Sequence, residues 1–259
     1  MDMKEVNDKL NQYLRPQSLP LAIRMCESKS ELPEKVRLPK DMGLSISLCH
    51  AIGLARRYGW TIAVDRTVSC YVPAISLGFV KIPPDIADGS FQASLRLRGM
   101  DRERAARAIQ EMPKFDPGKY EYALMAPVER ATFEPHIILV HATPAQIWVL
   151  LSAYLTGAGK TGLDVRMTPG SGCVSYITKT MLTREAQFVL MGSGERLGPH
   201  PQDYECAFSI PSEKLESTLK GLETNYRTGI FRYPVPSFMS YNTQHPPGYD
   251  KMREHLLGE

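Results

Sequence analysis

The chain has no CxxC pair, no apolar run long enough to cross a bilayer, no large excess of one charge and no internal repeat. Each absence excludes something. Without paired cysteines there is no zinc-ribbon or thioredoxin motif. The longest apolar run, Ile147 to Leu155, has nine residues including a serine, far short of the ~20 that a membrane helix needs. Lys and Arg number 31 against 28 Asp and Glu, a net charge of +3. That balance is too weak and too mixed to steer nucleic acid. Arg96, Arg98, Arg102, Arg104 and Arg107 cluster, but Asp101, Glu103 and Glu111 interrupt them, and the reading is a solvated helix face. The opening Met1-Asp2-Met3-Lys4-Glu5 places acids where a secretion leader needs basic residues, so the expected compartment is the cytoplasm.

What is present is an ordinary globular composition, 43% hydrophobic and 23% charged over 259 residues. A chain this long folds on its own core, with no need of disulfides or a structural metal. Apolar periodicity alternates between helix-like and strand-like segments. The expected fold is therefore one compact α+β domain, a mixed sheet with helices packed on it. A soft boundary is placed near 113–119, and the proline-rich tail 231–259 is expected to wrap the surface. The sharpest boundaries are those of a helix between an Ser47 cap and a Gly59 stop. His136 to His141 is nearly all apolar and reads as a central strand.

Gly157-Ala158-Gly159-Lys160-Thr161 imitates a phosphate loop. The real motif has a glycine five places before Gly159, where this chain has Tyr154, and it follows a strand rather than a helix. Nucleotide hydrolysis is set aside. The glycine-rich stretch 157–172 reads as a long loop serving a site.

The five cysteines, at 26, 49, 70, 173 and 206, carry more. In a reducing compartment lone thiols are free, catalytic or metal-bound. Cys49 lies two residues after the Ser47 cap and Cys173 two after a Ser171 cap, both in first helical turns. Exposed N–H groups there stabilise a thiolate, the form that attacks or binds metal. Cys70 precedes Tyr71-Val72-Pro73 and belongs to the same pattern. Cys26 and Cys206 read as core thiols, and the bland reading of all five as small buried residues stays open. His141, at a strand end, is a weaker general-base candidate. In Gly192-Ser193-Gly194-Glu195-Arg196 a tight turn carries Arg196, which either holds an anion or braces the loop. Phe231, Tyr233, Phe238 and Tyr241, spaced by prolines, either roof a pocket or pack on the surface.

From Leu14 to Pro236 the chain resembles the domain-of-unknown-function 169 family of bacteria and archaea. The likeness rests on Leu14-Arg15-Pro16 with Pro20-Leu21-Ala22-Ile23, on Cys49 with Ala55-Arg56, and on Ser69-Cys70 with Leu77-Gly78. It continues through Ala126-Pro127, Phe133 to Pro135, Pro144-Ala145-Gln146, Gly172-Cys173, Gly194-Glu195-Arg196, and Glu205 with Ile210-Pro211. The resemblance implies that Cys49, Cys70 and Cys173 match cysteine positions of the family. It also implies a further cysteine before the glycine turn, where this chain has Met191-Gly192-Ser193. A cluster held by three thiolates leaves one iron open to an outside ligand.

The resulting expectation is a redox or metal-dependent protein. Cys49, Cys70 and Cys173 converge as ligands of an iron–sulfur cluster or a soft metal such as zinc. Gly172, Gly194 and Arg196, with the 157–172 loop, receive a small anionic molecule. Two alternatives stand beside it: a non-catalytic small-ligand module with structural cysteines, and a thiol enzyme with Cys49 or Cys173 as catalytic nucleophile. No nucleic-acid or membrane partner is expected, and a homo-oligomer is compatible with all three readings.

Overall fold

The computed structural model describes residues 2–96, 99–167, 172–198, 201–229, 231–235 and 245–258. Helix α1 (Met3–Tyr13) starts at an Asp2 cap that accepts from the Lys4 N–H, and strand β1 (Leu21–Cys26) follows. Helix α2 (Leu48–Tyr58) is bounded by local chemistry. The Ser47 hydroxyl accepts the His50 N–H, and Gly59 closes the helix at φ 70°, a left-handed conformation that a side chain disfavours. Strand β2 (Ile62–Val64) then leads to four short helices: α3 (Tyr71–Ser76), α4 (Pro84–Ala87), α5 (Ser90–Ser94) and α6 (Arg102–Gln110). Strands β3 (Tyr122–Pro127) and β4 (Ile137–Ala142) precede α7 (Pro144–Ala158), whose Thr143 and Gln146 form a capping box.

Past residue 171, helical Gly172 and Cys173 open into a π-helix (Val174–Lys179), which α8 (Thr180–Thr183) continues. The Ser171 cap lies outside the described residues. The order closes with β5 (Gln187–Leu190), α9 (Ser193–Leu197), β6 (Cys206–Pro211), α10 (Leu215–Thr228) and α11 (Pro247–Leu257).

The six strands form one sheet in the order β2-β3-β1-β4-β6-β5, every neighbouring pair antiparallel. The α+β class is as expected. Among the described residues the parallel pairing is an isolated bridge from Arg37 to Ile62 at the start of β2, so the sheet is antiparallel rather than mixed. β4 lies inside the sheet between β1 and β6 and is buried at every residue, as its unbroken apolar run requires.

Alternation along the strands gives the sheet two covered faces. Ile23, Met25, Leu139 and Ala207 pack with α2 and the π-helix. Ala22, Ile138, Val140 and Phe208 pack with α1, α7 and α10. Each fully buried Leu or Ile of these layers contributes about 1.5–3 kcal/mol. α7 and α10 cross at backbone contact: a Cβ on Gly157 would lie 2.1 Å from the Ser217 carbonyl oxygen, and one on Gly221 2.0 Å from that of Ala153. Gly157 therefore serves helix packing, and the Lys160 ammonium pairs with Glu185 at 2.6 Å. Arg102 pairs with Asp88 and Arg107 with Glu103, in keeping with a solvated arginine face; Arg98 lies outside the described residues.

Phe231 stacks on Trp148 with ring centres 5.1 Å apart, residues 236–244 (with Phe238 and Tyr241) lie outside the described residues, and α11 buries none of its side chains. Among the described residues no helix is long and apolar enough to cross a membrane.

Candidate metal centre

Three elements on one face of the sheet bring two thiols and a carboxylate together. Cys49 comes from the first turn of α2, Cys173 from the entry to the π-helix, and Glu195 from the middle of α9. One ligand atom from each lies within 4.8 Å of the other two, and all three residues are buried. Tetrahedral zinc with Zn–S bonds near 2.3 Å sets its sulfurs about 3.8 Å apart, so the group fits one ion after a contraction of less than about 1 Å. Two sulfurs and an oxygen suit a thiophilic ion rather than a hard cation.

The carboxylate is held in place. Its Oε1 accepts the Cys173 N–H at 3.1 Å, and Gly172 leaves it room, since a Cβ there would lie 2.6 Å from that oxygen. A Cβ on Gly194 would meet the Cys49 sulfur at 4.0 Å, an ordinary contact. The two glycines thus differ. Gly172→Ala is expected to displace the carboxylate and weaken metal binding about tenfold, while Gly194→Ala leaves it nearly unchanged; competition with a chelating dye measures both.

A small pocket with room for about one water molecule adjoins the group, lined by Cys49, Ile52, Gly53, Arg56, His141, Tyr176, Met191, Glu195 and Pro201. Residues 49, 52, 53 and 56 follow helical spacing, so one face of α2 forms a wall. Arg56 is clamped: its guanidinium donates to both Glu205 oxygens at 2.8 and 2.9 Å and to the Ser18 hydroxyl at 3.0 Å. Arg57 reaches the same carboxylate at 3.3 Å. Three buried polar atoms along the wall have no hydrogen-bond partner: His141 Nδ1, the Tyr176 hydroxyl and Glu195 Oε2. Unpaired buried polar atoms are costly, and all three belong to residues that line the pocket.

The Cys173 thiol does not behave as a helix-start position alone suggests. The Cys49 side chain hydrogen-bonded to Cys173, and then burial, push the Cys173 thiol well above its usual range, with Glu195 and Cys70 adding to the rise. The first-turn dipole expected to lower it is overridden, which argues against Cys173 as a ready thiolate nucleophile and leaves a cation as the agent that would deprotonate it. Burial also raises the Tyr176 hydroxyl.

Burial, helped by the Arg56 charge, lowers His141 to about 3. Its unfolded value is near 6.5, so the folded state favours the neutral ring. That contribution is complete above pH 6.5 and is lost as pH falls towards 3. In the metal-free protein, urea unfolding is expected to lose about 2 kcal/mol between pH 7 and pH 5 through this residue. The His141→Gln variant is expected to lack that share of the slope.

The remaining candidates sit elsewhere. Cys70 precedes α3, half-buried and outside the three-residue group, though close enough for its charge to act on Cys173. Glu195 stands in the third place that Cys70 was expected to fill. Arg196 does not line the pocket: its Nε donates to the Met191 carbonyl at 3.2 Å and its other end meets Asp203 at 3.3 Å, so it braces the loop. Cys26 and Cys206 pack in clusters on the opposite side of the sheet. Burial raises both thiols, Cys26 to about 11. Sequence reasoning passed over Tyr176, which the Cys-x-x-Tyr spacing puts one turn from Cys173, and Glu195, where it considered only the neighbouring Arg196.

Nearly all of this scaffold falls within one match. The profile of domain of unknown function 169, described as uncharacterised ArCR, covers residues 9–221. The chain belongs to this family. The match takes in every pocket and candidate ligand residue, from Cys49 to Pro201, and leaves α11 outside. No curated protein and no solved structure matches the chain.

Proposed function

We propose that this member of the domain-of-unknown-function 169 family is a metal-dependent protein. Cys49 and Cys173 as thiolates, with Glu195, hold one thiophilic ion, zinc or iron(II), whose open position faces the pocket. The convergence of these three buried ligand atoms within 4.8 Å carries the reading. Three protein ligands and one free position are the arrangement of catalytic rather than structural sites. An ion placed there would polarise a bound oxygen or activate a water, and His141 and Tyr176, each with an unpartnered polar atom, line the same pocket as Cys49 and Glu195.

A single ion is favoured over an iron–sulfur cluster because only two sulfurs share the group, with an oxygen as third ligand. Anaerobic purification followed by metal and acid-labile sulfide analysis tests this. The expected result is one zinc or iron per chain without sulfide. Sulfide in stoichiometry with iron would favour the cluster, and a protein that neither retains nor takes up either metal would contradict both.

A further inference from the structure

We infer that Cys49 and Cys173 are a modification site: a peroxide joins them in a disulfide, and a small thiol opens it again. The bridge follows from where the two sulfurs lie; only its effect on metal rests on the proposed metal reading.

The two thiols are already neighbours. Their side chains are hydrogen-bonded to each other, and their sulfurs lie within 4.8 Å. Bond formation needs an approach of less than about 3 Å. Turning one cysteine side chain to another staggered position moves its sulfur by roughly that much without shifting the backbone. The other three thiols lie elsewhere. Cys26 and Cys206 pack across the sheet, and Cys70, half-buried before α3, stands outside the group.

Cys49 borders the water-sized pocket and Cys173 is not among its lining residues, so the oxidant meets Cys49 first. Hydrogen peroxide, one oxygen atom larger than water, suits so narrow an approach. The Cys49 sulfur attacks the peroxide, its proton leaves with the expelled hydroxide as water, and a sulfenic acid remains. The Cys173 sulfur then attacks the Cys49 sulfur. Its proton and the departing hydroxide form a second water as the S–S bond closes. Two thiols have lost two electrons and two protons, and the peroxide has gained them. Exchange with a small dithiol reverses the step, since that dithiol is oxidised as the pair is reduced.

A bridged pair has no thiolate to offer, so Glu195 is left as the lone member of the group and the ion departs. Bound zinc, in turn, occupies both sulfurs and slows the oxidation. Metal and bridge exclude each other.

Metal-free and zinc-loaded protein are to be treated with hydrogen peroxide, alkylated in denaturant, digested and mapped by mass spectrometry for cross-linked peptides. The expected product is a Cys49–Cys173 bridge that dithiothreitol removes, formed at least about tenfold faster in metal-free protein. One zinc is expected to leave the loaded protein per bridge, and Cys70→Ser to form the bridge at the parent's rate. Circular dichroism taken through the reaction shows whether the chain is folded as the bridge forms. A bridge to Cys70, sulfinic acid at Cys49 without a bridge, no reaction, or a bridge made only as the chain unfolds would each overturn the inference. If zinc fails to bind and the bridge still forms, the metal reading falls and this one stands; if zinc binds and no bridge forms in metal-free protein, the reverse holds.

Discussion

Replacing Cys173 by serine is expected to lower zinc affinity by at least about 100-fold, and Cys49→Ser by a similar factor. Zinc binding to thiolate-rich sites is worth on the order of 10–16 kcal/mol over three or four ligands, so one ligand carries several kcal/mol. The other cysteines provide the contrast. Cys26→Ser and Cys206→Ser lie across the sheet and are expected to retain full metal content, and Cys70→Ser to lose little because its sulfur is outside the group. Equal losses from all five substitutions would show that the effect is global unfolding rather than ligand removal. The measurement is competition with a chromophoric chelator, read with the circular dichroism of each variant.

The second large effect concerns stability. Arg56→Met is expected to destabilise the fold by about 3–5 kcal/mol, because it leaves the Glu205 carboxylate buried without its main partner. The two side chains are 2% and 3% exposed, so water cannot replace the lost bonds. Burial works against the Glu205 charge, yet the Arg56 hydrogen bonds and charge prevail and hold its carboxyl below the usual range. The paired change Arg56→Met with Glu205→Leu is expected to recover most of the loss, since removing both charges also removes their desolvation cost. Urea midpoints of the two single variants and the double variant form the cycle. An Arg56→Met protein as stable as the parent would contradict this account. Glu205 also accepts the Gln202 N–H at 2.7 Å, so the pair ties α2 to the chain leading into β6 and fixes Pro201 against the pocket. The single variants should therefore also loosen the pocket.

Sequence and structure agree where the information is local. The limits of α2 follow from Ser47 and Gly59, which act on neighbouring backbone groups, and the central place of β4 follows from a run apolar on both faces. First-turn positions singled out Cys49 and Cys173 as candidates by the same local signal, but their approach to each other depends on contacts between segments far apart in sequence.

Glu195 was not. α9 has five residues, too few to show an apolar period, and a glycine-flanked Glu-Arg pair reads equally well in either direction. Only the packing of α9 on α2 turns the carboxylate in and the guanidinium out. The thiol environment was illegible too, since the dipole of a first turn is a local property while the proximity of a second sulfur is not. α11 escaped because its side chains face no core, so burial imposes no pattern on that segment. Antiparallel order throughout the sheet likewise depends on contacts between strands far apart in sequence.

In the proposed site two thiolates and one carboxylate share a single ion. X-ray absorption at the metal edge of protein purified without air tests it most directly, because the first shell counts sulfur and oxygen separately. The prediction is two sulfurs near 2.3 Å with one or two lighter atoms near 2.0–2.2 Å, and the loss of one sulfur in Cys173→Ser. A shell without sulfur, one of four sulfurs, or one unchanged in Cys173→Ser would contradict it.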